Sequence, residues 1–266
     1  MTPATTQASV AVRSVDINYV RGGQVTSAVR DVSFEVGDNE FIALVGPSGC
    51  GKTTLLHAIG GLVGISAGDI VCASQHSADG LDRVMVFQEQ SLLKWRTVEQ
   101  NVAFALECKR VPKAERAPVI EGLLRQVGLW HRKDAYPFQL SGGMKQRVAI
   151  ARALASGAPV LLMDEPFGAL DAQTRLSMQT FLLKLWQESK KTVIFVTHDI
   201  DEAIYLADRV LVMSAGPGTI RASIPVELPR PRPSDAHLSD EFIASKRRIL
   251  AEIRSSETDS AGQADH

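Results

Sequence analysis

Five short apolar runs punctuate the chain: FIALV (41–45), RVMVF (83–87), PVLLMD (159–164), TVIFVT (192–197) and RVLVM (209–213). None alternates strictly with polar residues and β-branched side chains recur in them, which predicts strands buried on both faces. Helix-like stretches separate most of these runs, the arrangement of an α/β fold. Ahead of them, Val10 to Val36 nearly alternates apolar and polar positions around the turn RGGQ, predicting an antiparallel subsheet. Between Gln88 and Leu140 the period becomes helical. TVEQNVAFALE carries the Thr97-to-Gln100 spacing of a capping box, and KAERAPVIEGLLRQVGL keeps helical intervals despite Pro118 near its start. After Ala215, GPGTIRASIPVEL predicts a strand pair, PRPRPS a stiff linker, and Ser239 to about Ile253 a helix. Residues 1–9 and 254–266 are small and polar and are expected to be disordered. No internal repeat is visible.

Composition narrows the class without naming a function. The 266 residues, 45% hydrophobic and 22% charged, suit one large soluble domain or two modest ones. A net charge of -1 gives neither the electrostatic footprint of a nucleic-acid binder nor a polybasic membrane anchor. Cys50, Cys72 and Cys108 are widely spaced and form no CxxC pair, so neither a disulfide framework nor a structural zinc is indicated, and a reducing cytosol is the simplest setting. No stretch reaches the ~18 to 20 uninterrupted apolar residues of a spanning helix, and MTPATTQASV lacks the blocks of a secretory signal. Any membrane role is therefore expected to be peripheral.

The chemistry begins directly after FIALV. Gly46, Pro47, Ser48, Gly49, Cys50, Gly51, Lys52, Thr53 and Thr54 come after a predicted strand and open a helix-like run, the setting a phosphate-binding loop requires. The glycines let successive N–H groups point inward at a helix N-terminus. Lys52 adds charge for the β/γ-phosphates, and the Thr53 hydroxyl can ligate Mg²⁺. A magnesium nucleotide site needs a further carboxylate, and Asp164 ends a buried strand with Glu165 beside it. Asp164 can hold the metal, while Glu165 can orient and deprotonate an attacking water. Two acids at a strand end can equally cap the next element; the phosphate loop favours the catalytic reading. Ser141, Gly142 and Gly143 precede a further predicted helix, whose N-terminus suits an anion or is simply a capped start.

In this order, GPSGCGKTT, VFQEQ, LSGGMKQR, VLLMDEP, ALD and VTHD resemble the ATP-binding subunit of ABC transporters, over about Val10 to Pro229. The resemblance implies a P-loop NTPase ABC cassette with a RecA-like core, an antiparallel β subdomain and a helical subdomain inserted at about 89–155. It places the ATP-binding domain at 10–229 and a linker and C-terminal helix at 230–253. Residue by residue, Tyr19 matches the aromatic that stacks on adenine, and Gly46 to Thr54 the triphosphate cradle. Gln88 matches the lid glutamine that senses Mg²⁺ and the water; Ser141 and Gly143 match the signature that caps the γ-phosphate held by the other subunit. Leu170 and Asp171 match the loop coupling the two sites, and His198 the switch histidine. Met144 departs from the glutamine of many relatives.

The resemblance further implies a head-to-tail dimer that sandwiches two ATP molecules, because neither subunit completes a site alone. It implies an integral membrane permease docked near Leu92, Leu93 and Trp95, a solute-binding protein acting through that permease, and a place on the cytoplasmic face of the plasma (inner) membrane. The stretches LLKWRTVEQNVAFALE, MQTFLLKLWQES and ELPRPRP are similar to importers of taurine, other sulfonates and nitrate, most of all taurine, although Lys94 stands where that group usually has proline. A soluble ABC ATPase is the alternative class. It would use the same nucleotide chemistry, but such chains often carry two cassettes or long coiled-coil inserts, which this sequence lacks.

Overall fold

A computed structural model describes residues 8–72, 81–233 and 235–263. In chain order they form β1 (Ala8–Arg21), β2 (Gln24–Gly37), β3 (Phe41–Val45), α1 (Lys52–Ile59), β4 (Ala67–Cys72), β5 (Arg83–Val86), α2 (Val98–Cys108), α3 (Lys113–Gln126) and α4 (Gly142–Ala155). Next come β6 (Val160–Asp164), α5 (Ala172–Ser189), β7 (Thr192–Val196), α6 (Ile200–Leu206), β8 (Arg209–Met213), β9 (Ile220–Pro225) and α7 (Asp240–Gln263). Two compact units result: Ser74–Ser189, and the flanking stretches Met1–Ala73 with Lys190–His266.

The flanking stretches build two sheets. β1 and β2 pair antiparallel through a tight turn in which Gly22 (φ +58°) and Gly23 (φ +81°) take the left-handed conformations a two-residue hairpin needs. β4 adds antiparallel to the other edge of β1. In the second sheet β3 lies between β7 and β8, parallel to both, and β9 runs antiparallel to β8. β3 and β7 are buried at every position, which is why their sequences show no alternation. Phe41 and Phe195 meet within this core with ring centroids 5.8 Å apart, and burying each contributes roughly 1.5–3 kcal/mol.

The Ser74–Ser189 unit pairs β5 parallel to β6. Its helices α2, α3 and α4 share an apolar cluster that includes Val98, Val102, Ile120, Leu124, Val148 and Ala151. The capping box is present: the Thr97 hydroxyl accepts from the Gln100 N–H, and the Gln100 side chain accepts from the Thr97 N–H. α5 spans 18 residues and buries Met178, Gln179, Leu182, Leu183 and Leu185.

Three expectations are corrected. GPGTIRASIPVEL forms one strand, β9, and no hairpin of its own, because Ser214 and Thr219 close a turn through Ser214 N–H to Thr219 O (3.0 Å). The N-terminal segment joins the fold from Ala8, with Ser9 buried and its hydroxyl accepting from Thr192 Oγ1 at 3.0 Å. The C-terminal helix does not stop near Ile253 but continues to Gln263. Residues 1–7, the remainder of the predicted disordered N-terminus, and 264–266 lie outside the described residues.

Candidate functional site

In the unit formed by the flanking stretches, β3 delivers the chain into the phosphate loop and α1 begins at Lys52. The turn into α1 requires Gly51: its φ of +93° is left-handed, and a Cβ there would lie 2.7 Å from the Ala28 carbonyl oxygen. Lys52 is only 7% exposed, and its ammonium donates to the carbonyl oxygens of Gly46 and Pro47, both at 2.8 Å. The loop thus curls around its own cation. Thr53 and Ser48 lie to either side of this turn, and Thr53 is exposed at the start of α1. Residues 28–30 of β2 and the turn before β9 hold the outside of the loop, with Gly218 N–H to Ala28 O at 3.0 Å and Arg30 N–H to Gly218 O at 2.9 Å.

Tyr19 stands on β1 opposite Thr26 and is 45% exposed, the surface placement an adenine platform needs. His198 is exposed just beyond β7. The turn carrying it is fixed on both sides. Thr197 N–H donates to Leu44 O at the end of β3 (3.2 Å), the Thr197 hydroxyl donates to the buried Glu202 at 2.5 Å, and Asp199 N–H donates back to Thr197 Oγ1 at 3.0 Å.

In the Ser74–Ser189 unit, β6 ends on buried Asp164, and Glu165 comes next with φ +41°. A left-handed glutamate is an uncommon backbone state, of the strained kind that clusters at functional sites. Gln88 lies just past β5 and points to the same place. A Cβ built on Gly168 would be in ordinary contact with both, 3.4 Å from Gln88 Nε2 and 3.6 Å from Glu165 Oε2, so the amide and the carboxylate both lie beside Gly168. Arg152, on α4, donates to the carbonyl oxygens of Gln90 (3.2 Å) and Ser91 (2.9 Å) and anchors the segment after Gln88; burial lowers its pKa from the usual guanidinium value.

The signature stretch is organised differently from the expectation at one point. Gly142 and Gly143 lie inside α4, not ahead of it, because extended Ser141 is the N-cap and its hydroxyl accepts from Met144 N–H at 3.3 Å. The two glycines permit a close approach: a Cβ on Gly143 would come within 2.8 Å of Thr174 Cγ2, and one on Gly142 within 3.0 Å of Leu170 Cδ2. An open cleft of about 250 Å³ runs between Ser141, Gly143 and Arg147 on one side and Gln173, Thr174 and Ser177 on the other. Asp171 accepts from Thr174 N–H at 2.9 Å at the start of α5, and its bonds with Thr174 hold its carboxyl below the usual aspartate range.

Of the apolar trio after Gln88, Leu92 packs against the helical core and Trp95 stands 74% exposed. The loop that carries them is held by Asn101, which lies in the stretch TVEQNVAFALE but has no role among the sequence expectations. Fully buried on α2, its amide donates to the carbonyls of Leu93 (3.2 Å), Arg96 (3.0 Å) and Thr97 (2.9 Å) and accepts from Leu93 N–H (2.8 Å). Its one signal in the sequence is a polar residue beside Val98 and Val102 on the face that helical spacing buries.

The donors assigned to a metal, Thr53, Gln88 and Asp164, are all hard oxygens, as Mg²⁺ prefers. Among the described residues no group of three or more His, Cys, Asp or Glu forms a metal cage. Also among the described residues, no helix is long and apolar enough to cross a membrane.

Comparison with known proteins gives one family model, described as ABC transporter, that matches residues 29–168. An uncharacterized ABC transporter ATP-binding protein of Methanocaldococcus jannaschii is 50% identical over 86% of this chain and 85% of its own. The taurine import ATP-binding protein TauB of Escherichia coli K12 is 44% identical over 85% of this chain and 91% of its own. Among solved structures, a dimeric post-hydrolysis state of an ATP-binding cassette bound to ADP and Pi superposes with a TM-score of 0.69 at 31% identity, covering 82% of this chain and 99% of that one.

Proposed function

The chain belongs to the ABC transporter family, and from that premise we propose that it is the ATP-hydrolysing subunit of a membrane importer, working as a head-to-tail dimer. The solute we propose is taurine, with other aliphatic sulfonates or nitrate as the alternatives. The observation that carries the ATPase reading is Glu165, which adjoins buried Asp164 and lies with Gln88 beside Gly168.

In this reading the N–H groups of Gly46 to Thr54 and the Lys52 ammonium bind the triphosphate, and Tyr19 stacks on the adenine. The Glu165 carboxylate takes a proton from water as the water oxygen bonds to the γ-phosphorus. The bond to the β–γ bridging oxygen breaks, leaving ADP and phosphate. Gln88 and His198 hold the water and the γ-phosphoryl group in line, so much of the rate enhancement is positioning and charge stabilisation. Thr53, Gln88 and Asp164 would hold Mg²⁺, which would supply positive charge against the charge developing on the phosphoryl group. Ser141 and Gly143 of one copy cap the nucleotide of the other, and Asp171 couples the two sites. The solved relative described as dimeric supports the assembly.

Exposed Trp95 supports a permease docking beside the lid glutamine at the cytoplasmic face of the membrane. The solute assignment is supported by the likeness to a taurine import protein. Solute choice belongs to the permease and its binding protein, so the test is cellular. Uptake of labelled taurine, alkanesulfonates and nitrate is compared in cells with and without this chain, complemented by wild type or Glu165→Gln. Loss of taurine uptake restored only by wild type is the expected result. Loss of nitrate or another sulfonate instead replaces the solute, and no change in any uptake removes the importer reading.

A further inference from the structure

The short helix just past His198 is held at both ends by the segment after Leu228. α6 has seven residues, and a helix that short leaves most of its carbonyls without intrahelical partners. Its last four carbonyls are all accounted for. Ala203 O accepts from Ala207 N–H at 2.9 Å. Ile204 O and Tyr205 O accept from Arg232 Nη1 at 3.0 and 2.9 Å, and Leu206 O accepts from Arg230 Nη2 at 2.7 Å. Two guanidinium groups at a helix C-terminus also complement its dipole. At the other end, Lys246 of α7 pairs with Asp201 in the first turn at 2.7 Å.

The contacts are built into the fold. Arg232 is 6% exposed, and the Tyr205 hydroxyl donates to its backbone carbonyl at 3.3 Å, so strap and helix grip each other reciprocally. Arg230 also donates to Asp208 Oδ1 at 2.9 Å, and the other oxygen of Asp208 accepts from Phe41 N–H at 2.9 Å, at the start of the strand that feeds the phosphate loop. Burial and the neighbouring Arg230 lower the Arg232 pKa to about 10, which leaves the group charged at neutral pH.

We propose that Arg232, assisted by Arg230, is a positioning residue for His198: by capping the far end of α6 it sets the angle at which that helix leaves the histidine turn. The proposal rests on the reading that His198 acts on the γ-phosphate. The geometry assigns the proline-rich strap a part in turnover and not only in joining α7 to the core.

The test is steady-state ATP hydrolysis by the full chain carrying Arg232→Lys, His198→Ala, or both, with folding checked by thermal unfolding. Lysine keeps the charge but lacks the planar guanidinium whose Nη1 reaches the Ile204 and Tyr205 carbonyls while Nη2 reaches that of Leu228. In the wild-type background kcat should fall by roughly ten- to a hundredfold, as misplacement of a catalytic group does, with KM for ATP within about twofold. In the His198→Ala background the same substitution should cost less than about twofold, because residues acting through one another are not additive. An undiminished kcat in a folded Arg232→Lys protein overturns the proposal, and so does an equal fractional loss in the two backgrounds. If His198→Ala alone leaves kcat intact, the His198 reading fails, and the proposal with it. Should Arg232→Lys not fold, Arg230→Lys is put through the same comparison with the same two outcomes deciding.

Discussion

Gly218 packs so closely against the carbonyl oxygen of Cys50 that a Cβ on Gly218 would lie 1.9 Å from it. The turn before β9 is therefore an outer wall of the phosphate loop, fixed to it by contact and to β2 by two hydrogen bonds. Gly218→Ala must push the Cys50 peptide inward or the turn outward. Such overpacking costs about 1–3 kcal/mol, and the weakening of ATP binding should be about tenfold, read by calorimetric titration with a non-hydrolysable analogue.

Glu165→Gln keeps the shape of the site and removes the proton acceptor. Hydrolysis should fall by roughly 10²–10⁴-fold while ATP still binds, so that millimolar ATP traps a dimer. Size-exclusion chromatography reads this directly. A strictly monomeric elution at saturating ATP contradicts the sandwich assembly.

Asn101→Leu fills nearly the same space but takes the amide donor from the Arg96 carbonyl and the acceptor from the Leu93 N–H, while the Leu93 and Thr97 carbonyls keep their backbone donors Arg96 N–H and Asn101 N–H. Leaving those two part-buried groups unpaired should cost about 1–3 kcal/mol, which urea unfolding should register. ATP affinity should be unchanged, whereas transport should fall more than basal hydrolysis, because the loop that loosens is the one presenting Trp95.

The depressed Asp171 carboxyl gives a pH signature at α5. Its folded value lies below its unfolded one, so its contribution to stability is complete above the ordinary aspartate range and is lost as pH falls through the folded value. Thr174→Val removes the first cause of the shift, the side-chain hydrogen bond. The Asp171 midpoint in a carboxyl carbon NMR titration should then move upward, toward that of a solvated aspartate.

The strands are legible because burial on two faces leaves a run no choice of residue type. FIALV, TVIFVT and RVLVM become β3, β7 and β8 to within a residue, and the Thr97 capping box forms as its spacing requires. Local spacing likewise marks the strand-to-helix setting of the phosphate loop. The features that stay hidden depend on partners far along the chain. Nothing around Arg232 announces that it caps a helix 27 residues earlier, and nothing in GPGTI shows that β8 will claim it in place of a hairpin. The extension of α7 beyond Ile253 is invisible because its polar composition lacks the apolar period by which a packed helix is recognised.

The strap between Leu228 and α7 also bears on how far this cassette can be exchanged with others. Its nucleotide-site motifs end with VTHD, and a chimaera joined at Leu228 would carry all of those. It would also arrive with the Ile204, Tyr205 and Leu206 carbonyls bare and the Asp208 side chain short of its cationic partner. The smallest portable piece of this chain is therefore longer than the stretch that its motifs define.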